Sequence, residues 1–600
     1  MGQVQFRSAE ELNTIVASHV LVELRANGPL TTESLFDAAY QLWRCEIGHP
    51  DMAAGRLLAS VTEDDVLEMA VQRISNGAQV FDVLHLVQAF LLHANTLSLD
   101  SLIALSDAQY EKTKRDMAAG MLFGAIERWF SSHRDFAEIL TRRLLVEPLQ
   151  MRENLLGAAW MGWFNSDATP AVQEVLHIAG QTKHVQAVPL AIRLAGRMLH
   201  AAEPSAEFKG KLEELINDQL LESSELEHQA AIQAAVGLIH RTSRFDVYLK
   251  RLADAADQLA LAHIAVALGA QQQALIEQGR YFFWLDMCAA LSSEYSDAIG
   301  AMEYSLSLLL VPEGTYQRQA LGFLKAWVEK QPSNGPSNRQ FAETFSQCSL
   351  QILNHQELLS GWLTDWLSGD GDKLPSAVAG VLFGLSTRGG SNLSFSAELL
   401  DRMTAAQLVF LARRLLGYIH DADHLLSLAL SLLGTKDAEK RVFPFMPSFL
   451  VEEIGYDFPG STIDALKDAS RKTADDSVRQ LLNAGCLSIE TSMDQLEKLP
   501  RLKELAPPDG LRRQFLLARG RQMSDASKEA NKKSIIQQIA TTIYIKAGQT
   551  TFQYQRDAYT EPMQMNTISH SYQLPRRENL DPVGNAIRGY QMRNAKRGDL

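Results

Sequence analysis

Apolar residues recur at intervals of three and four along most of the chain from residue 8 to residue 530. That is the period of one face of an α-helix. The stretch SELEHQAAIQAAVGLIH (224–240) shows the construction. It sets Leu226, Ala230, Ala234 and Leu238 on one stripe, with Ala231, Ala235 and Ile239 beside it. Side chains this small predict a neighbouring helix lying close. SRFDVYLKRLADA follows, then DQLALAHIAVALG, which is apolar nearly all round and is expected to be buried. Helices joined by only a few residues must run antiparallel to their neighbours.

Start and stop signals punctuate the pattern. Ser8 with Glu11, Ser224 with Glu227, Thr404 with Gln407 and Ser492 with Gln495 each have the spacing of a capping box. In that motif two orphan backbone N–H groups of a first turn are satisfied reciprocally. Gly269 and Gly434 each follow an apolar run where a left-handed residue would close a helix. Strand-type alternation is absent up to residue 530. An all-α fold follows, and the arrangement expected is an irregular α-solenoid, HEAT-, armadillo- or TPR-like, of stacked antiparallel helices. No clean repeat period is present, so a compact multi-bundle protein is the structural alternative.

EKQPSNGPSNRQ (329–340) carries Pro332, Gly335 and Pro336, which rule out continuous helix. The expected division is therefore an N-terminal array over 1–335, a C-terminal array over 336–548 and a largely non-helical tail over 549–600.

Charge changes the picture at one end. The 600 residues hold 57 Lys and Arg against 71 Asp and Glu, net −14. Residues 501–600 alone hold 17 basic and 9 acidic residues, net +8, which leaves the first 500 at net −22. An acidic body thus ends in a basic last sixth, suited to folding back on the body or to addressing an acidic partner. Hydrophobic residues make up 46%, and no run reaches the 18 or so uninterrupted apolar residues that would span a bilayer. With no secretion signal and four scattered cysteines (Cys45, Cys288, Cys348, Cys486), the expectation is a cytoplasmic protein with buried free thiols and no membrane contact.

Candidate chemistry is sparse. HDADH (420–424) places His420 and His424 four apart, the spacing of two ligands on one helix face. The competing reading ends one helix at His420 and caps the next with Asp421 or Asp423. TRGGSN (387–392) lacks the lysine and the preceding strand of a phosphate loop, and SGDGDK (368–373) is too short for a calcium loop. The aromatic clusters WMGWF (160–164) and WLTDW (362–366) read as core. No catalytic motif is present, so no catalytic residue and no cofactor are expected.

The C-terminal region carries the remaining signal. Residues 510–548 read as a basic helical segment ending at Lys546 with Gly548 as its cap; a β-hairpin about Gly548 is the alternative. Beyond it, Pro562, Pro575 and Pro582 interrupt helix, yet Phe552, Tyr554, Tyr559, Tyr572 and Tyr590 make the tail too aromatic for plain disorder. Asp581 and Pro582 have the N-cap and N1 chemistry of a short terminal helix. On it Val583, Ile587 and Tyr590 fall at the spacing of anchors in a helix-in-groove contact. Arg588, Arg593, Lys596 and Arg597 flank them, and Arg576 and Arg577 precede them.

Three uses of the tail compete: docking on its own chain, docking on a partner protein, or holding nucleic acid through arginine and tyrosine. The functional expectation is a non-catalytic helical scaffold or adaptor in a multi-protein assembly. A nucleic-acid-binding subunit using the basic residues of 510–600, and a helical enzyme with an unrecognised site, are the alternatives.

Overall fold

The computed structural model describes residues 8–499 apart from 46–52, 61–62, 78, 115–119, 147–150, 181–186, 202–205, 223–224, 312–313, 333–339 and 386–392; it also describes parts of 510–564, and residues 575–596. Among the described residues, everything up to residue 499 that is regular is helix. The chain divides into two compact units, Met1–Leu309 with Arg318–Gln331, and Leu310–Gln317 with Pro332–Leu600.

In the first unit, helices pack against near neighbours in the chain. Ala53–Leu58 contacts Val80–Leu91, which contacts Gly120–Ser132, and the series continues through Glu153–Ser166, Val188–Ala201, Glu225–Gly237, Gln258–Ala270 and Ser296–Leu309. Small residues set several of these crossings. A Cβ on Gly196 would lie 2.8 Å from the Cα of Ala234, and one on Gly269 would lie 2.2 Å from the carbonyl oxygen of Ala301. Gly269 therefore does not cap a helix. It sits inside Gln258–Ala270, where only a missing side chain lets Ser296–Leu309 approach. The stripe read on 224–240 holds for Ala230, Ala234 and Leu238, which are buried, but Leu226 is exposed.

Local signals fared according to their range. Ser8 and Thr404 form complete capping boxes with Glu11 and Gln407. Ser492 and Gln495 do not, because the helix they were read to start already runs from Asp476 to Lys498, capped by Asp475. Gly434 lies in a short 3-10 turn, Leu432–Gly434, with right-handed backbone. Ser224 and the glycine loop 387–392 lie outside the described residues. Trp160, Trp163, Trp362 and Trp366 are all core, each at most 1% exposed. Three cysteines are buried, but Cys45 is exposed at the end of Thr32–Cys45.

The second unit holds Ala405–Tyr418, Ala422–Ser431, a π-helical turn at Phe449–Gly455, Pro459–Lys472 and the long Asp476–Lys498 helix. Its last part corrects one expectation. Tyr544–Ala547 and Thr550–Gln555 are strands paired antiparallel, with Ala547 opposite Thr550 and Tyr544 opposite Gln553. No helix ends at Lys546; β-branched and aromatic residues on both sides of Gly548 favour the pleated pair. Short strands at Ala558–Tyr559 and Met563–Gln564 also pair with Thr550–Gln555. The chain then returns to helix at Arg576–Leu580 and Pro582–Arg593.

Candidate functional site

The terminal helix forms for local reasons. The Asp581 side chain accepts from the Gly584 N–H at 2.9 Å, and Pro582 occupies the first turn, where its missing N–H costs nothing. What this helix touches is decided elsewhere. It packs along Ala405–Tyr418, with the Arg593 backbone so near Gly417 that a Cβ there would lie 2.9 Å from the Arg593 nitrogen.

Arginines hold the two C-terminal helices to this seat. Arg577 donates its backbone N–H to Asp457 Oδ1 at 3.1 Å and its guanidinium to Asp457 Oδ2 at 2.8 Å. The same guanidinium donates to the carbonyl oxygens of Glu453 at 3.1 Å and Glu452 at 2.5 Å, both in the π-helical turn. It also lies over the Tyr456 ring, 4.5 Å from the centroid, with Arg576 on that ring at 5.5 Å. Arg588 pairs with Glu453 and approaches Asp457 at 3.7 Å. Packing around Arg588 lowers its pKa by desolvation. Two guanidinium groups thus meet two carboxylates in a partly dry setting, where charge-assisted bonds are stronger than in water. Arg593 adds a longer contact to the Gly417 carbonyl oxygen at 3.4 Å.

The apolar residues read as anchors face the other way. Val583 is 68% exposed, Ile587 55% and Tyr590 64%, and Leu580 is exposed beside them. Docking of the tail on its own chain is therefore done by the charged face, which reverses the expected division of labour. Lys596 lies past the end of the helix and is exposed, and Arg597 lies outside the described residues.

A cavity of about 460 Å³ remains between the terminal helix and its seat, lined by Ile419, His420, Phe458, Asn585, Arg588 and Met592, among others. Burial of the His420 ring and the charge of Arg593 lower its pKa, while Glu578 opposes them. His424 does not face this cavity as a second ligand. Asp421 caps Ala422–Ser431 by accepting the His424 N–H at 3.0 Å, so the two histidines belong to different elements. Burial lowers the His424 pKa, against the pull of Asp421 and Asp423. Among the described residues no group of three or more His, Cys, Asp or Glu gathers as a metal site.

The first unit carries a second cavity that no sequence signal marks. It measures about 620 Å³ and opens between Gly120–Ser132, Glu153–Ser166 and Val188–Ala201. Arg197 bonds Glu127 at 2.6 Å across it, and Arg193 pairs with Glu153. The partners stand 70 residues apart in the first pair, beyond the reach of any periodicity. Gly124 on its wall has nothing within 4 Å of where a Cβ would be.

No protein-family model matches this chain, and no curated protein matches it either. No helix among the described residues is long and apolar enough to cross a membrane.

Proposed function

We propose that this protein is a non-catalytic cytoplasmic scaffold or adaptor, its helices stacked as an irregular α-solenoid, and that it presents its terminal helix to a partner protein. The observation that carries this reading is the two-faced character of Pro582–Arg593. One face is pinned to the body by Arg588 and Arg593, while Val583, Ile587 and Tyr590 stand in solvent at helix-in-groove spacing. An exposed apolar stripe on a helix held in place has its ordering cost already met, which favours tight docking into an apolar groove. Nucleic acid is the weaker reading, since Arg577 and Arg588 are engaged by carboxylates and the body at net −22 repels a polyanion.

The test is capture of binding partners by the full chain and by the V583A/I587A/Y590A variant, each with and without nuclease. The reading expects nuclease-resistant partners that the variant loses while its circular dichroism stays unchanged. Capture that survives the triple substitution but vanishes with nuclease would reject it.

A further inference from the structure

We propose that the cavity walled by Gly120–Ser132, Glu153–Ser166 and Val188–Ala201 binds an acylated α-amino acid, such as the free C-terminal end of a peptide, by its carboxylate, its amide N–H and an apolar side chain. The cavity lies wholly within the first unit, so it stands whether or not the terminal helix meets a partner. At about 620 Å³ it falls within the size of small-ligand sites, roughly 300–1,000 Å³.

Three features of its lining specify the ligand. The first is Arg193. Arg197, one turn further along the same helix, is engaged by Glu127 at 2.6 Å. Among the described residues Arg193 meets only the Glu153 carboxylate, and that side chain is 45% exposed. A guanidinium carries a planar fork of N–H donors, so most of this one's are left over. Packing also desolvates Arg193 and lowers its pKa. A carboxylate fits the fork with two parallel bonds, which gain strength where water is scarce. Three basic side chains (Lys114, Arg193, Arg197) and two acidic ones (Glu127, Glu153) line the cavity, an excess that one negative charge balances.

The second feature is Gln109, which lines the same cavity and is only 3% exposed. Its Nε2 donates to Thr113 Oγ1 at 2.5 Å, and the Thr113 hydroxyl donates in turn to the Gln109 carbonyl oxygen at 3.0 Å. Gln109 Oε1 is left without a partner among the described residues. A buried acceptor of this kind is satisfied by an N–H, and a carboxylate alone has none to offer. An acylated amino acid carries one on the carbon next to its carboxylate. The third feature is the apolar lining of Phe123, Ala158, Leu190 and Leu194, all buried side chains. Gly120 and Gly124 have nothing within 4 Å of where a Cβ would be, which keeps the cavity open beside that lining.

Calorimetric titration of the full chain with N-acetyl-leucyl-leucine tests this. The free acid should bind one to one, and its C-terminal carboxamide roughly tenfold or more weakly, the loss expected for a charge-assisted bond. Isocaproate, which keeps the carboxylate and the apolar chain but has no N–H, should also bind more weakly. N-acetyl-leucine separates the two sources of such a ligand. Weaker binding than the longer peptide assigns the site to peptide ends, and equal binding to single acylated amino acids; either supports the site. Arg193→Gln should make the acid and the carboxamide bind alike. Gly124→Leu fills the open space and should abolish binding of every probe while circular dichroism stays unchanged, and it serves should Arg193→Gln unfold the chain. No binding of the free acid, equal binding of acid and carboxamide to the unaltered chain, or binding that survives Gly124→Leu would each overturn the site.

Discussion

Asp457 holds Arg577 twice, accepting its backbone N–H at 3.1 Å and its guanidinium at 2.8 Å across 120 residues of sequence. One carboxylate therefore fixes both the path of the chain entering the terminal helix and the direction of its charge. Replacing Asp457 with Ala should free the terminal segment without unfolding the body. A hydrogen bond to a charged group contributes about 1.5–3 kcal/mol, so amide protection over 582–593 should fall by at least tenfold. The urea midpoint of the main transition should stay within error. Unchanged protection would mean that helix packing, not Asp457, holds the segment.

Two glycines should respond to alanine in opposite directions. Gly269→Ala puts a Cβ against the Ala301 carbonyl oxygen, and overpacking of this kind costs about 1–3 kcal/mol. Gly124→Ala adds a methyl into open space within a helix and should stabilise by up to about 1 kcal/mol. Denaturant unfolding of both variants checks the pair. Equal effects would contradict the close crossing at Ala301.

Histidine titration should weaken the fold in mild acid. Burial lowers the folded-state pKa of both His424 and His263; Asp421 and Asp423 oppose the shift at His424, and Asp257 at His263. Both therefore take up a proton less readily in the folded chain than in the unfolded one, which does so near the ordinary value of about 6.5. Between those values the unfolded state binds more protons, so stability is full above the unfolded pKa and declines as pH falls through it. The urea midpoint should drop between pH 7.5 and pH 5.5, and the drop should shrink in His424→Gln. An equal slope in that variant would remove His424 from the explanation.

Thiol reactivity should separate the cysteines. Cys45 is exposed, whereas Cys288, Cys348 and Cys486 are buried. Burial alone pushes the Cys288 thiol pKa far up, which suppresses the reactive thiolate. A thiol reagent at pH 8 should label about one equivalent quickly and the remaining three only on unfolding. Cys45→Ser should abolish the fast phase, and persistence of that phase would place the reactive thiol elsewhere.

What the sequence determined by itself is whatever neighbouring residues decide among themselves. Helical period, the capping boxes at Ser8 and Thr404, and the Asp581–Pro582 start all depend on groups within a turn of each other, and each appears in the structure as read. The same period put Val583, Ile587 and Tyr590 on one face, correctly. It was silent on which way that face points, because a helix in isolation has no inside. That choice was made by Gly417, Glu453 and Asp457, which lie more than a hundred residues away and meet the Arg593 backbone and the Arg588 and Arg577 guanidinium groups. Gly269 was misread for the same reason: a glycine after an apolar run looks like a cap until the helix that crosses it is in place. The Glu127–Arg197 cavity had no local sign at all, since a bond between distant residues exists only once packing has brought their helices together.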